Sequence, residues 1–313
     1  MKEQFEGAKV IVTGGAGFIG SHLCEELVLL GAEVLSIDDY SAGKKSNVEF
    51  LEGYTNYSAI DKSVVETAGM DDIFEGVDFV FHNAASKKNI CEQDPKRDLK
   101  VNAEGTLNLL QFALKHKVKH FVHASTGSVY GEPSVFPSDE THPLKPVSYY
   151  GVSKLAGERY VDIFNHLFGL NTTILRYFHV YGPRQESNQF GGVVSNFHRQ
   201  ALSGEALNVF GDGKQIRSFT WVKDLVEINL KSAITDVAIG KVYNAASGIQ
   251  ISINDLAEYV VDVTESKSPI LHGEPLLGDI HYFEVCNKLV CKDLDVAFEK
   301  DFWGTLKSAL ALF

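Results

Sequence analysis

The stretch VIVTGGAGFIG, Val10–Gly20, decides the fold. A run of β-branched and apolar residues ends at Thr13, glycines follow at Gly14, Gly17 and Gly20, and Ser21-His22-Leu23 opens a helical pattern. This reads as a strand, a tight turn and a helix start. Gly14 permits the turn, Gly17 keeps no side chain between the backbone and a phosphate, and Gly20 lets the helix pack close to the strand. The helix N-terminus then offers free N–H groups and a partial positive charge to a diphosphate. A glycine trio alone is weak among 27 glycines, but the next apolar run, Glu33–Ile37, ends in Asp38-Asp39, 18 residues beyond Gly20. An acid at that place meets an adenosine ribose in dinucleotide-binding folds.

Around this unit the composition is that of a soluble α/β protein. The chain has 313 residues, 44% hydrophobic and 22% charged, enough for one large domain or two lobes sharing a cleft. No apolar run approaches the roughly 18 residues of a membrane span. The start, MKEQFEGAK, has none of the apolar character of a signal peptide. Cys24, Cys91, Cys286 and Cys291 show no metal-ligand spacing, so no metal is expected and the thiols suit a cytoplasmic protein. A formal net charge of −12 speaks against nucleic-acid or anionic-membrane partners.

The first half alternates strands and helices, the pattern of a parallel sheet. Strands are expected at Val10–Thr13, Glu33–Ile37, Ala59–Val65, Val77–His82, Phe121–Ala124 and Thr172–Tyr177. Long helices are expected at Asp98–His116, with Leu99, Val101, Leu107, Leu110 and Leu114 facing inward, and at Tyr149–Phe168. Beyond Val180 the alternation fades and returns at Lys241–Ala245. The expected architecture is a Rossmann-type doubly wound parallel sheet with a smaller, interleaved C-terminal substrate-binding lobe. Residues 1–179 and 218–247 form the dinucleotide domain, and 180–217 and 248–313 the lobe.

Polar residues gather at expected strand ends, where ligands bind in such sheets: Asp38-Asp39, His82-Asn83-Ala84-Ala85 and Ser125-Thr126. Tyr150 and Lys154 stand one turn apart on a helix, so both side chains share a face. An ammonium beside a phenol favours the phenolate, which makes Tyr150 a candidate base. The spacing alone is weak, since Tyr40/Lys44 repeats it in a loop; only the first pair follows a strand-end hydroxyl pair and a dinucleotide motif.

Taken together, TGGAGFIGS, VFHNAA, NAEGT (Asn102–Thr106), HASTGSVYG, YYGVSK, RYFHVYGPRQ, GDGKQIRSFTWVKDL and YNAASG resemble the extended short-chain dehydrogenase/reductase family. The similarity is strongest to its nucleotide-sugar epimerase branch and runs nearly the whole length. It implies NAD held permanently, with Asp38 on the adenosine ribose favouring NAD over NADP. The cofactor contacts it implies are Gly14, Gly17, Phe18, Ile19, Gly20, Asp38, Asp39, Ser41, Gly43, Ser63, Val64, Asn83, Ala84, Ala85, Lys87, Asn102, Ser125, Tyr150, Lys154 and Tyr177. Tyr150 would take the proton of the sugar 4-hydroxyl, Lys154 would keep it ionised, and Thr126 would hydrogen-bond the same oxygen. The sugar nucleotide would meet Lys87, Thr126, Ser128, Tyr150, His179, Arg184, Val193, Asn208, Phe210, Arg217 and Phe283.

Members that dehydrate carry Asp-Glu directly after the threonine, where this chain has Gly127-Ser128, and uronate decarboxylases carry Glu in place of Ser128. An epimerase acting on UDP-glucose and UDP-galactose is therefore expected, with Phe283 favouring unacetylated sugars. The alternatives are an epimerase or reductase of another sugar nucleotide, a UDP-N-acetylhexosamine or UDP-uronate, and a non-catalytic dinucleotide-binding regulator. His179 replaces the family asparagine and reads either as a phosphate donor or as a buried histidine. Val193, Asn208 and Phe210 read equally as a nucleotide pocket or as core. Leu276 stands where a second diphosphate arginine belongs, leaving Lys87, His179 and Arg184 to supply charge. A homodimer through a four-helix interface, built from the two long helices, is the implied assembly.

Overall fold

The computed structural model describes residues 1–86, 92–188, 191–275, 280 and 282–312. Its centre is a seven-stranded sheet built from β1 (Lys9–Thr13), β2 (Glu33–Asp38), β3 (Tyr57–Asp61), β4 (Phe79–His82), β5 (His120–Thr126), β6 (Thr172–Tyr177) and a late strand, Lys241–Ala245. All neighbours run parallel, and the spatial order is late strand, β6, β5, β4, β1, β2, β3. The order reverses between β1 and β4, which opens a crevice above their C-terminal ends.

Helices cover both faces because β1, β4 and β5 are apolar on both sides and must be buried twice. One face packs α1 (Phe18–Leu29) and a helix at Val222–Ile234 through Leu23, Leu27, Leu225 and Ile228. The other packs a short α2 (Met70–Phe74), α4 (Gly105–Lys115) and α5 (Tyr149–Phe168) through Phe74, Leu109, Leu110, Val161 and Phe164. Ser148 caps α5 by accepting the Gly151 N–H, and Gly169 ends it in the left-handed conformation.

Two expectations are corrected. The third strand begins earlier than Ala59, at Tyr57, and its alternation is masked because it is the half-exposed edge of the sheet. The helix foreseen over Asp98–His116 is broken into α3 (Pro95–Leu99), a π-helical turn at Lys100–Glu104, and α4. That wide turn rotates α3 relative to α4. Leu99, expected inside, is 58% exposed, whereas Leu110 is fully buried.

A second core gathers Tyr181, Val194, Phe197, Phe219, Leu256 and Phe302. It is built on α6 (Val193–Ser203), three two-stranded pairings and later helices, and includes β7 (Val180–Tyr181), β8 (Leu207–Phe210) and β9 (Ile216–Ser218).

Candidate active site

The glycine turn has the geometry its spacing implies. Gly14 sits at φ +68°, and a Cβ on it would lie 2.8 Å from the Ala84 nitrogen. A Cβ on Gly20 would come within 2.1 Å of the Gly14 carbonyl oxygen, so the helix can approach the strand only without one. Gly17 is the N-cap of α1 in extended backbone.

Above this turn a cavity runs along the C-terminal ends of β1, β2, β4 and β5. Gly14, Gly17, Phe18, Ile19, Gly20, Asp38, Asp39, Ser41, Gly43, Ser63, Val64, Asn83, Ala84, Ala85, Ser125, Tyr150, Lys154 and Tyr177 all line it. Lys62, Ser86, Arg97, Val101 and Glu186 line it as well, and the sequence did not point to them. Lys62 directly follows β3, so the strand-end rule could have found it; Glu186 arrives on a loop without a local signal. Asn102 stands behind the cavity rather than in it. It is fully buried, accepting the Ser86 N–H at 2.8 Å and donating to Asp98 at 2.6 Å and Ser153 at 3.0 Å. Lys87 lies outside the described residues.

The residues present fit a dinucleotide. Asp38 accepts N–H bonds from Ala16 at 2.9 Å and Tyr40 at 2.8 Å, which leaves about two further lone-pair positions for ribose hydroxyls. Burial raises its pKa, while those two N–H groups oppose the shift. The Asn83 amide nitrogen is buried with no partner among the described residues, although Asn83 lines the cavity. A buried amide without a partner costs stability unless a ligand meets it.

A hydrogen-bonded string fixes the loop beneath. The Thr106 hydroxyl donates to the Asn102 carbonyl at 2.7 Å, so it accepts from His82 Nε2 at 2.9 Å. His82 Nδ1 is then left to accept from the Thr13 hydroxyl at 2.7 Å, and Thr13 in turn accepts the Ala84 N–H at 3.2 Å. Burial, with the Lys154 charge nearby, lowers the His82 pKa to about 3. The same causes hold His123, 5.3 Å from His82, well below its usual value.

A second cavity adjoins the first and shares Tyr177 with it. Thr126, Ser128, His179, Arg217 and Phe283 line it, with Gly127, Val147, Ser148, Phe178, Ser218 and Ile280. The Thr126 hydroxyl accepts the Ser128 N–H at 3.1 Å and lies 3.2 Å from the Ser128 hydroxyl. A Cβ on Gly127 would sit 2.4 Å from the Phe178 ring, which meets Phe283 edge to face with ring centroids 5.0 Å apart. His179 adopts φ +28°, an uncommon conformation for a side chain with Cβ, and packs on Phe219.

Four residues assigned to the sugar nucleotide lie apart from both cavities. Arg184 turns to α1, where Glu25 and His22 accept its guanidinium. Val193 packs on the second core. Asn208 and Phe210 lie on β8 and are exposed, Phe210 by 47%, so neither is core. Leu276 lies outside the described residues.

Below both cavities runs a buried ion-pair network. Glu158, one turn beyond Lys154 on α5, accepts from Ser125 at 2.5 Å and from Arg176 at 2.8 and 2.9 Å. Arg176 also donates to the Tyr130 hydroxyl at 2.7 Å, which donates to Asn244 at 2.7 Å. Asn244 donates to the Cys286 carbonyl at 3.1 Å and the Ser138 carbonyl at 3.3 Å, where the segments around Ser138 and Val285 pair.

A family model described as "NAD dependent epimerase/dehydratase family" matches residues 10–246. The chain belongs to that family. It is 38% identical over 271 residues to a UDP-N-acetyl-alpha-D-glucosaminuronate decarboxylase of Bacillus cytotoxicus, covering 84% of this chain and 83% of the relative. It is 32% identical to a UDP-glucose 4-epimerase of Mycolicibacterium smegmatis, covering 87% and 88%. Among solved structures, a UDP-glucose 4-epimerase of Thermotoga maritima with UDP-glucose superposes with a TM-score of 0.92 at 34% identity, covering 97% of this chain and 98% of the other. As a member of this family the chain uses NAD, and the family's sugar-nucleotide enzymes include epimerases, decarboxylases and dehydratases. Among the described residues no helix is long and apolar enough to cross a membrane, and no group of three or more histidine, cysteine, aspartate or glutamate side chains could hold a metal.

Proposed function

We propose that this chain is a 4-epimerase of nucleoside-diphosphate sugars, with UDP-glucose and UDP-galactose as its leading pair. The observation that carries this reading is the second cavity. Next to Thr126 it presents Gly127 and Ser128, and none of its described lining residues is acidic. Elimination of water needs a paired acid and base at that place, whereas inversion at C4 needs one base and room to turn the sugar.

Bound NAD supplies reversible hydride transfer. The chain's own residues do the rest. Tyr150 removes the proton of the 4-hydroxyl and returns it after the 4-keto sugar has turned. Lys154, on the same face of α5 and almost fully buried, supplies the positive charge that favours the phenolate. Thr126 holds the 4-oxygen, and Arg217 suits the diphosphate, a planar fork matched to phosphate oxygens. Residues 1–179 and 218–247 would carry the cofactor, and 180–217 and 248–313 the sugar nucleotide, in a cytoplasmic homodimer.

The second reading, conversion of a UDP-uronate, is favoured by the similarity to the Bacillus cytotoxicus decarboxylase. One experiment separates them. UDP-galactose, UDP-N-acetylgalactosamine and UDP-glucuronate are each incubated with the protein, and C4 inversion and carbon dioxide release are followed. Inversion of UDP-galactose without gas release is expected, and Tyr150→Phe should abolish it while NAD stays bound. Release of carbon dioxide from the uronate, with UDP-galactose untouched, overturns the epimerase reading.

A further inference from the structure

Gly127 directly follows Thr126 in the second cavity, and its φ lies outside the left-handed region, unlike that of Gly14 or Gly131. Its backbone would therefore accept an ordinary residue, so the missing side chain has another cause. That cause is Phe178. Thr126 and Tyr177 are register partners on β5 and β6, so the residues that follow them, Gly127 and Phe178, leave the sheet side by side. A Cβ on Gly127 would meet Cε1 of the Phe178 ring at 2.4 Å and its Cδ1 and Cζ at 2.8 Å. The ring cannot simply retreat. It is 5% exposed, stacked on Tyr130 with ring centroids 6.4 Å apart, and blocked on another side by the edge contact with Phe283. Tyr130 is itself pinned by its hydroxyl between Arg176 and Asn244.

We infer that Phe178 is a specificity-determining residue, whose ring reserves the place after Thr126 for glycine and so bars an acid from the second cavity there. Its consequence for the reaction rests on the epimerase reading, in which the cavity turns a sugar and needs no second acid. Close packing makes the exclusion steep, since a ring wedged between two others yields little to an added methyl group. An acid at position 127 needs the ring shortened first. A change of reaction class at this site thus takes two coupled substitutions rather than one.

The test combines Gly127→Ala with Phe178→Val, whose side chain lacks all three ring atoms that the methyl group would meet. Wild-type protein, each single variant and the pair are loaded with NAD. Thermal unfolding and kcat/KM for C4 inversion of UDP-galactose are then measured. Gly127→Ala alone should lower the Tm by a few degrees and slow inversion by about ten- to a hundredfold, because the ring is driven against Phe283 at the sugar site. In the Phe178→Val background the same alanine should cost less than about twofold and leave the Tm of that variant unchanged. Gly127→Asp should likewise give folded, NAD-loaded protein only together with Phe178→Val. If the valine protein does not fold, Phe178→Leu decides the matter; it lacks counterparts of Cε1 and Cζ and should recover part of the loss. Equal losses in both backgrounds, or a fully active Gly127→Ala, overturn the inference. A wild type that inverts no UDP-hexose would refute the epimerase reading instead, while the unfolding cycle still decides whether Phe178 excludes a side chain at 127.

Discussion

Gly17 and Gly20 share a motif but should fail in different ways, and the difference can be worked from the backbone. A methyl group at Gly20 would lie 2.1 Å from the Gly14 oxygen, 2.8 Å from its carbonyl carbon and 2.9 Å from the Gly15 Cα. All three are backbone atoms, so α1 must move out by about 1 Å. Overpacking of this kind costs about 1–3 kcal/mol, of which up to about 1 is offset by the better helix propensity of alanine. At Gly17 the nearest atom is the Gly14 oxygen at 3.1 Å and φ is −75°, so alanine should cost under about 1 kcal/mol. Its methyl group, however, stands where the diphosphate would approach the helix N-terminus. If NAD affinity falls about a hundredfold, then at a concentration near 100 Kd of the wild type the ligand stabilisation drops from about 2.7 to about 0.4 kcal/mol. Thermal unfolding with and without NAD reads both quantities. Gly20→Ala should lower the Tm before NAD is added, and Gly17→Ala should keep the Tm but lose the NAD response. A full NAD response in Gly17→Ala would refute the placement of the diphosphate on this turn.

Two further outcomes are expected. Burial lowers the pKa of His22 and His120 to about 4, His82 to about 3 and His123 well down, against 6.5 when unfolded, so the unfolded chain binds more protons between pH 6.5 and 3. Stability should therefore fall as pH drops through that window. Asp224, raised by burial to about 6, opposes it, as do Asp38 and Glu140 more weakly. A net difference of about two to three protons near pH 5 gives a slope of roughly 3–4 kcal/mol per pH unit, measurable by urea unfolding; a flat profile would contradict the burial of these rings. Separately, α5 leaves Tyr149, Val152, Ile163 and Leu167 exposed, Leu167 by 73%. If the chain pairs through this face, Leu167→Glu should halve the mass seen by sedimentation, and an unchanged mass would exclude the face.

The sequence disclosed what is encoded locally. β1, β4 and β5 are buried on both sides and read as apolar runs, and the glycine turn announces itself by spacing. The π-helical turn at Lys100–Glu104 does not, because its anchor, Asn102, bonds Ser86 on another loop and Ser153 on another helix. The edge strand β3 carries too little buried surface to show a pattern. Glu186 reaches the cavity from a loop and Arg97 from the short helix α3, both distant in sequence from the glycine turn, which no periodicity reports. Of the residues placed only by resemblance, Arg217 and Phe283 line the second cavity, whereas Phe210 is exposed on β8 and Arg184 pairs with Glu25.

The chain of bonds from Ser125 through Glu158, Arg176 and Tyr130 to Asn244 constrains how this molecule can change. Its members hold β5, the helix bearing Tyr150 and the segment bearing Phe283 as one mechanical unit. Altering any link would strand a buried charge or dipole, at about 3–5 kcal/mol if the ion pair itself is cut. New sugar preferences are thus more accessible through the outer positions Ser128, Val147 and Ile280 than through this foundation. Lineages that diverge in substrate should vary at those rim positions while inheriting the layer below unchanged.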